Sequence, residues 1–282
     1  ERLSSVPGLA WRQNGRIRFN APVFDHDLDS FGYPSWDLLK LETYKEYAPH
    51  GAFLKKYPSA PIFATRGCPF HCTYCGAHLI SGKKLRLRSV SNIMDEVEML
   101  HSRYGINEIT ILDDNFSLNR SFVLDFCREV IDRKLDMAFN CPNGLHYETL
   151  DEEILRQMKR AGWYSITIAP ESGSPRTLEK MGRKVKLDEV KKKVKLVKQM
   201  GLDLIGFFII GYPNETWEDI NKTINLAYEC PFDFVHFSFF RPLPGTKIFY
   251  ELQEEGKLKD FRWEGLNVYN TPFYAPDGFT PA

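Results

Sequence analysis

Three cysteines, Cys68, Cys72 and Cys75, fall within eight residues at spacings x3 and x2 in Thr65-Arg-Gly-Cys68-Pro-Phe-His-Cys72-Thr-Tyr74-Cys75-Gly. Thiolates are soft ligands suited to iron–sulfur clusters. Three of them on a four-iron cubane leave one iron open to an external ligand, which means chemistry as well as electron storage. A closed tetrahedral zinc site would need a fourth donor, for which His71 or His78 is at hand. A cluster acting only as an electron carrier or structural staple would call for a fourth thiolate, and no further Cys lies near the loop.

Other polar groups recur where strands are expected to end. The adjacent carboxylates Asp113 and Asp114 follow Ile111-Leu112 and suit either an ammonium ligand or a helix N-cap. Glu171 and Ser172 follow Ala169-Pro170. Phe207 and Ile209 alternate along an apolar run and face either a ligand or the core.

The elements that position these residues alternate from about residue 60 onward. Short β-branched or aromatic runs at 61–65, 108–112, 137–141, 165–169, 204–210 and 234–240 read as strands. Amphipathic runs at 90–104, 120–134, 151–161, 186–200 and 216–229 read as helices, with Ser89 or Ser91 and Thr149 or Asp151 as caps, and Gly105, Gly162 and Gly201 as stops. Repeated βα units predict a parallel sheet, and six rather than eight predict an open, partial (β/α)6 barrel of the TIM type in the α/β class. The cysteine loop then follows the first strand, where barrel active sites lie. Residues 1–60 form a lead-in segment with Asn14-Gly15 as a hairpin turn, 61–250 the barrel, and 251–282 a C-terminal extension. A helix at 246–256 is expected on the outside of the barrel.

Thirty-seven basic residues balance thirty-seven acidic ones, so no overall positive field draws nucleic acid or an anionic membrane. The longest apolar run, 205–212, is far short of the roughly 20 residues that span a bilayer, and the start shows no signal-peptide pattern. These features predict a cytoplasmic chain, and the missing initiator Met predicts that it starts partway through a longer protein. Cys127, Cys141 and Cys230 are scattered, which does not suit a disulfide framework.

The cysteine spacing with Tyr74 before the last Cys, the Glu171-Ser-Gly-Ser174 segment, the apolar run 206–211 and Arg241-Pro-Leu-Pro-Gly-Thr246 resemble, in that order, the radical S-adenosylmethionine (SAM) superfamily over residues 61–250. The resemblance implies a [4Fe–4S] cluster on Cys68, Cys72 and Cys75, with SAM bound at its open iron. Tyr74, Asp113, Asp114, Glu171, Ser172, Phe207 and Ile209 are then cofactor-binding residues, and Arg183 and Lys184 are candidates for the cofactor carboxylate. A flavodoxin- or ferredoxin-type reductant and a small-molecule or natural-product-type substrate would be its partners.

The lead-in Val6-Pro-Gly-Leu-Ala-Trp-Arg-Gln-Asn-Gly15, residues 27–37 and Cys141-Pro-Asn-Gly-Leu145 further resemble the cobalamin-dependent branch. That implies a cobalamin-binding domain absent from this chain, and methyl transfer to carbon, with cyclisation or rearrangement as the alternative. His146 stands where many relatives carry Arg, and is expected as a loop residue rather than a base. A methylthiotransferase would need further cluster cysteines and a basic appended domain, and neither is visible in this sequence.

Overall fold

In the computed structural model, which describes residues 2–44, 53–258, 261–266, 274–276 and 278, the lead-in begins with a hairpin. Strands β1 (Ala10–Gln13) and β2 (Arg16–Phe19) pair antiparallel, and Asn14 and Gly15 both take positive φ, 51° and 74°, as the expected tight turn requires. Then come β3 (Ser59–Ile62), the short antiparallel pair β4 (Thr65–Arg66) and β5 (Arg86–Leu87), β6 (Glu108–Ile111), β7 (Ala138–Asn140), β8 (Ser165–Glu171), β9 (Asp203–Ile210) and β10 (Phe234–Phe239).

Two parallel sheets, β3-β6-β7 and β8-β9-β10, are joined by one parallel bridge, Phe139 to Trp163. Six parallel strands thus stand in chain order. Among the described residues no pairing joins β10 back to β3, so the barrel stays open. The helices between them are α1 (Ala77–Ser81), α2 (Val90–Tyr104), α3 (Arg120–Asp132), α4 (Glu152–Arg160), α5 (Pro175–Lys180), α6 (Leu187–Gln199) and α7 (Trp217–Glu229), and α8 (Lys247–Glu254) follows β10. No helix among the described residues is long and apolar enough to cross a membrane.

Local chemistry accounts for these boundaries. Ser89 caps α2 by accepting from Asn92 N–H (3.1 Å), Asp151 caps α4 through Ile154 N–H (2.8 Å), and Thr216 with Asp219 closes a capping box on α7. Strands β6 and β7 are buried at every residue, since core and helices cover both faces. Phe116, Phe126, Phe139 and Trp163 meet edge-on, tilted or stacked at β7, with centroids 5.5–6.4 Å apart.

Three expected elements come out differently. The first strand does not run from 61 to 65: β3 stops at Ile62, because Asp113 takes the N–H groups of Ala64 and Thr65 (both 2.8 Å). The chain then turns into β4. The fourth strand runs past 169 to Glu171 with a bulge between Ile168 and Glu171, where Pro170 lacks an N–H and Glu171 takes φ of 68°. Helix α8, expected on the outside, lies at the barrel mouth: Ile248 N–H donates to Thr73 O (3.1 Å), and Ile248, Phe249 and Leu252 bury against Met181, Tyr212 and Phe240. It crosses residue 250, where the barrel was expected to end.

Among the ties between the lead-in and the barrel, two run through buried carboxylates. Trp36 is buried and donates through Nε1 to Glu96 (2.9 Å), whose other oxygen meets Arg88 (2.6 Å). At the opposite end Glu108, fully buried, accepts from the N–H groups of Lys55 and Lys56, from Asn140 and from Tyr164, at 2.6–2.8 Å. A buried carboxylate is tolerated only with such saturation.

Candidate functional site

The cysteine loop leaves β4 through Gly67, whose φ is 96° and where a Cβ would lie 2.2 Å from Lys84 O, so only glycine fits. Cys68 N–H donates to Gly82 O (3.1 Å). The middle of the loop hangs on Thr73: its N–H donates to Met181 O (3.0 Å) and its hydroxyl to Lys180 O (3.1 Å), and the hydroxyl also bonds the Tyr212 hydroxyl (2.6 Å). Backbone from α5 and α8 thereby holds the thiols from outside.

Cys68, Cys72 and Cys75 are free, half-buried and line one cavity of about 160 Å³ at the C-terminal rim of the strands. Opposite them stand Tyr74, Asp114, Asn115, His146, Glu171 and Arg183. Tyr74 O–H donates to Glu171 Oε1 (2.8 Å). Arg183 reaches Cys72 Sγ at 3.8 Å and donates to Ala169 O at 2.6 Å.

Burial dominates the electrostatics. It raises the Cys68 thiol and pushes Cys75 up to about 11, so iron must displace protons on binding. Burial also raises Glu171, opposed by the Arg183 guanidinium and the Tyr74 O–H, and it raises Tyr74, with Glu171 adding to the effect. Arg183 is held more firmly charged than usual: burial works against it, but Tyr74, Glu171 and Cys72 outweigh that.

The donor set fits a cubane cluster: three soft thiols around one space, and a buried cation to offset thiolate charge. Among the described residues no three His, Cys, Asp or Glu side chains converge on a single metal ion, and neither His71 nor His78 lines the cavity. Neither of the fourth donors expected for a zinc site therefore stands with the thiols.

The expected site residues divide. Tyr74, Asp114 and Glu171 line the cavity with the cysteines. Asp113 does not; both its oxygens are spent on Ala64 and Thr65 N–H. Ser172 is fully buried, bonds the Thr223 hydroxyl (3.0 Å) and accepts from Ser174 N–H (3.1 Å), which docks the β8 turn onto α7. At Gly173 a Cβ would lie 2.2 Å from Lys222 O, so the same close approach requires glycine. Phe207 and Ile209 lie outside the cavity, on the face of β9 opposite the core residues Leu204 and Phe208; Phe207 meets the His236 ring edge-on at 5.6 Å. Lys184 is exposed.

Cys127, Cys141 and Cys230 are buried away from the cavity. His146, expected as a loop residue, is a wall: its ring stacks on Phe70 at 4.6 Å and 10°, and burial lowers its imidazole below the usual range despite Glu148. Phe70, Asn115 and Tyr147 also line the cavity and were not among the expected site residues; for Asn115 the signal was its place directly after the paired carboxylates.

The sequence matches the radical SAM superfamily over residues 62–227. It is 32% identical to an uncharacterized methyltransferase of Pyrococcus horikoshii, covering 93% of this chain and 55% of that protein. It is 31% identical to cytidylyl-2-hydroxyethylphosphonate methyltransferase of Streptomyces wedmorensis, covering 89% and 52%. The chain thus spans about half the length of these curated relatives. The cobalamin-dependent S-adenosylmethionine radical enzyme OxsB, solved with aqua-cobalamin and S-adenosylmethionine bound, superposes with a TM-score of 0.75 over 93% of this chain and 43% of that one, at 15% identity. At that identity the likeness is one of fold.

Proposed function

Because the chain belongs to the radical SAM superfamily, we propose that it is the catalytic core of a radical methyltransferase, with a [4Fe–4S] cluster on Cys68, Cys72 and Cys75. The observation that carries this reading is the single cavity ringed by three half-buried thiols, with Arg183 and the Tyr74–Glu171 pair on its walls. A cluster held by these three thiolates would supply a low-potential electron for reductive cleavage of the SAM sulfonium and, through it, hydrogen abstraction from an unactivated carbon.

The chain's own residues bind and orient. Arg183 offsets the charge of the thiolates, and its bond to Ala169 O fixes where that charge stands. Glu171 presents a carboxylate to cofactor hydroxyls, steered by Tyr74, and Asp114 presents one to the cofactor ammonium. The Phe70–His146 stack closes one wall against water. Asp113 and Ser172 hold the strand ends in place and touch no cofactor.

Methyl transfer, cobalamin and a flavodoxin- or ferredoxin-type reductant belong to the whole protein. Two methyltransferase-named relatives and a cobalamin-carrying fold neighbour support that extension. The test is anaerobic reconstitution with iron and sulfide, then assay of 5′-deoxyadenosine and S-adenosylhomocysteine from SAM under dithionite. Product that disappears in Cys72→Ala is the expected result; a protein that takes up zinc instead of iron and leaves SAM intact would sink the reading.

A further inference from the structure

A second cavity, of about 630 Å³, lies between the lead-in and the β3 edge of the barrel. Its walls are apolar and largely aromatic, with Phe24, Phe31, Tyr33, Trp36, Ile62 and Phe63 among them. Its charged groups are Asp25, Glu96, Arg66, Arg86 and Arg88. Arg88 and Glu96 neutralise each other at 2.6 Å, and the second Glu96 oxygen is taken by Trp36.

The other two guanidiniums lack such partners. Arg66 and Arg86 stand directly opposite in the β4–β5 register, a like-charge cross-strand pair that costs stability. Arg86 is 7% exposed, yet its donors reach only the carbonyls of Asp25 and Ser81, at 2.6 and 2.5 Å. Arg66, at the mouth, lies over the Phe63 ring at 4.6 Å. Neither makes an ion pair among the described residues. Asp25 offsets Arg86 only in part, and its carboxylate also accepts from Asp27 N–H (3.1 Å). Burial and Arg66 together make Arg86 easier to deprotonate than an ordinary arginine, the strain expected of a cation without its counter-ion.

We propose that this cavity is a binding site, separate from the cysteine cavity, for an organic anion: an aromatic body among the rings, with its carboxylate or phosphate bridging Arg66 and Arg86. Paired guanidinium forks suit either oxyanion. An anion there turns the cross-strand repulsion into attraction on both sides.

The test is quenching of Trp36 fluorescence in the full chain by phenyl phosphate and by benzoate, with benzyl alcohol and inorganic phosphate as competitors. Saturable binding is expected, and the tighter of the two anions identifies the head group. Arg66→Met should weaken it by about tenfold or more, with iron content unchanged and the melting temperature level or raised, since the cross-strand repulsion is gone; Arg86→Lys should weaken it less. The proposal is overturned if neither anion saturates, if benzyl alcohol displaces them as well as an anion does, if inorganic phosphate binds as tightly as phenyl phosphate, or if Arg66→Met binds like the parent.

Discussion

Two carboxylates at the same rim, Asp113 after β6, fully buried, and Glu171 at the end of β8, half-buried, are both raised by burial, yet they serve opposite ends. Asp113 spends each oxygen on a backbone N–H 48 or 49 residues away, and so ends β3 and starts the turn toward the cysteines. Glu171 accepts one hydrogen bond, from a side chain, and faces a cavity. Saturation by rigid backbone marks a carboxylate that builds the site; partial saturation by a side chain marks one that works in it.

Substitutions test that contrast. Asp113→Ala leaves two buried N–H groups unpaired and should cost about 2–5 kcal/mol in urea unfolding, with iron uptake falling in step. Glu171→Gln should change stability by less than about 1 kcal/mol but weaken SAM binding by about tenfold, roughly 1.4 kcal/mol, in equilibrium dialysis of the reconstituted protein. If Glu171→Gln proved as destabilising as the Asp113 variant, the distinction would fail.

The pH dependence gives a second handle on the same pair. Burial pushes the Asp113 carboxyl up to about 7, above its value in an unfolded chain, so the folded state holds the extra proton. Its contribution to stability is therefore full below the unfolded value and is lost as pH rises through about 7. Urea stability should drop by about 2–3 kcal/mol more between pH 5 and pH 8 in the parent than in Asp113→Asn. The mildest effect is expected one residue beyond Glu171: Ser172→Ala should cost about 0.5–1 kcal/mol by removing the acceptor of Ser174 N–H and one of the bonds at the Thr223 hydroxyl, and leave SAM affinity unchanged.

Much of this was legible in the primary structure. The x3 and x2 cysteine spacing, the Asn14-Gly15 turn and the alternation of βα units are short-range properties. Each depends on residues within a few positions or on one repeating period, so the chemistry of the loop and the six-unit barrel followed from them. The carboxylate pair was not legible in the same way. Asp113 and Asp114 are chemically identical neighbours, and which of them turns to the cavity depends on where Ala64 and Thr65 present their N–H groups.

Distance along the chain separates the two kinds of knowledge. Arg183, expected toward the cofactor carboxylate, meets Cys72 from 111 residues away because α5 turns back under the loop at Met181. The second cavity lies between segments far apart in the chain, one of its ties being Trp36 on Glu96, 60 residues on. The sequence by itself determined which atoms could bind iron and in what order the strands would come. Only the tertiary structure decided which charges share a low-dielectric space and which are saturated by backbone, because those outcomes depend on the packing of segments whose contacts leave no periodic trace.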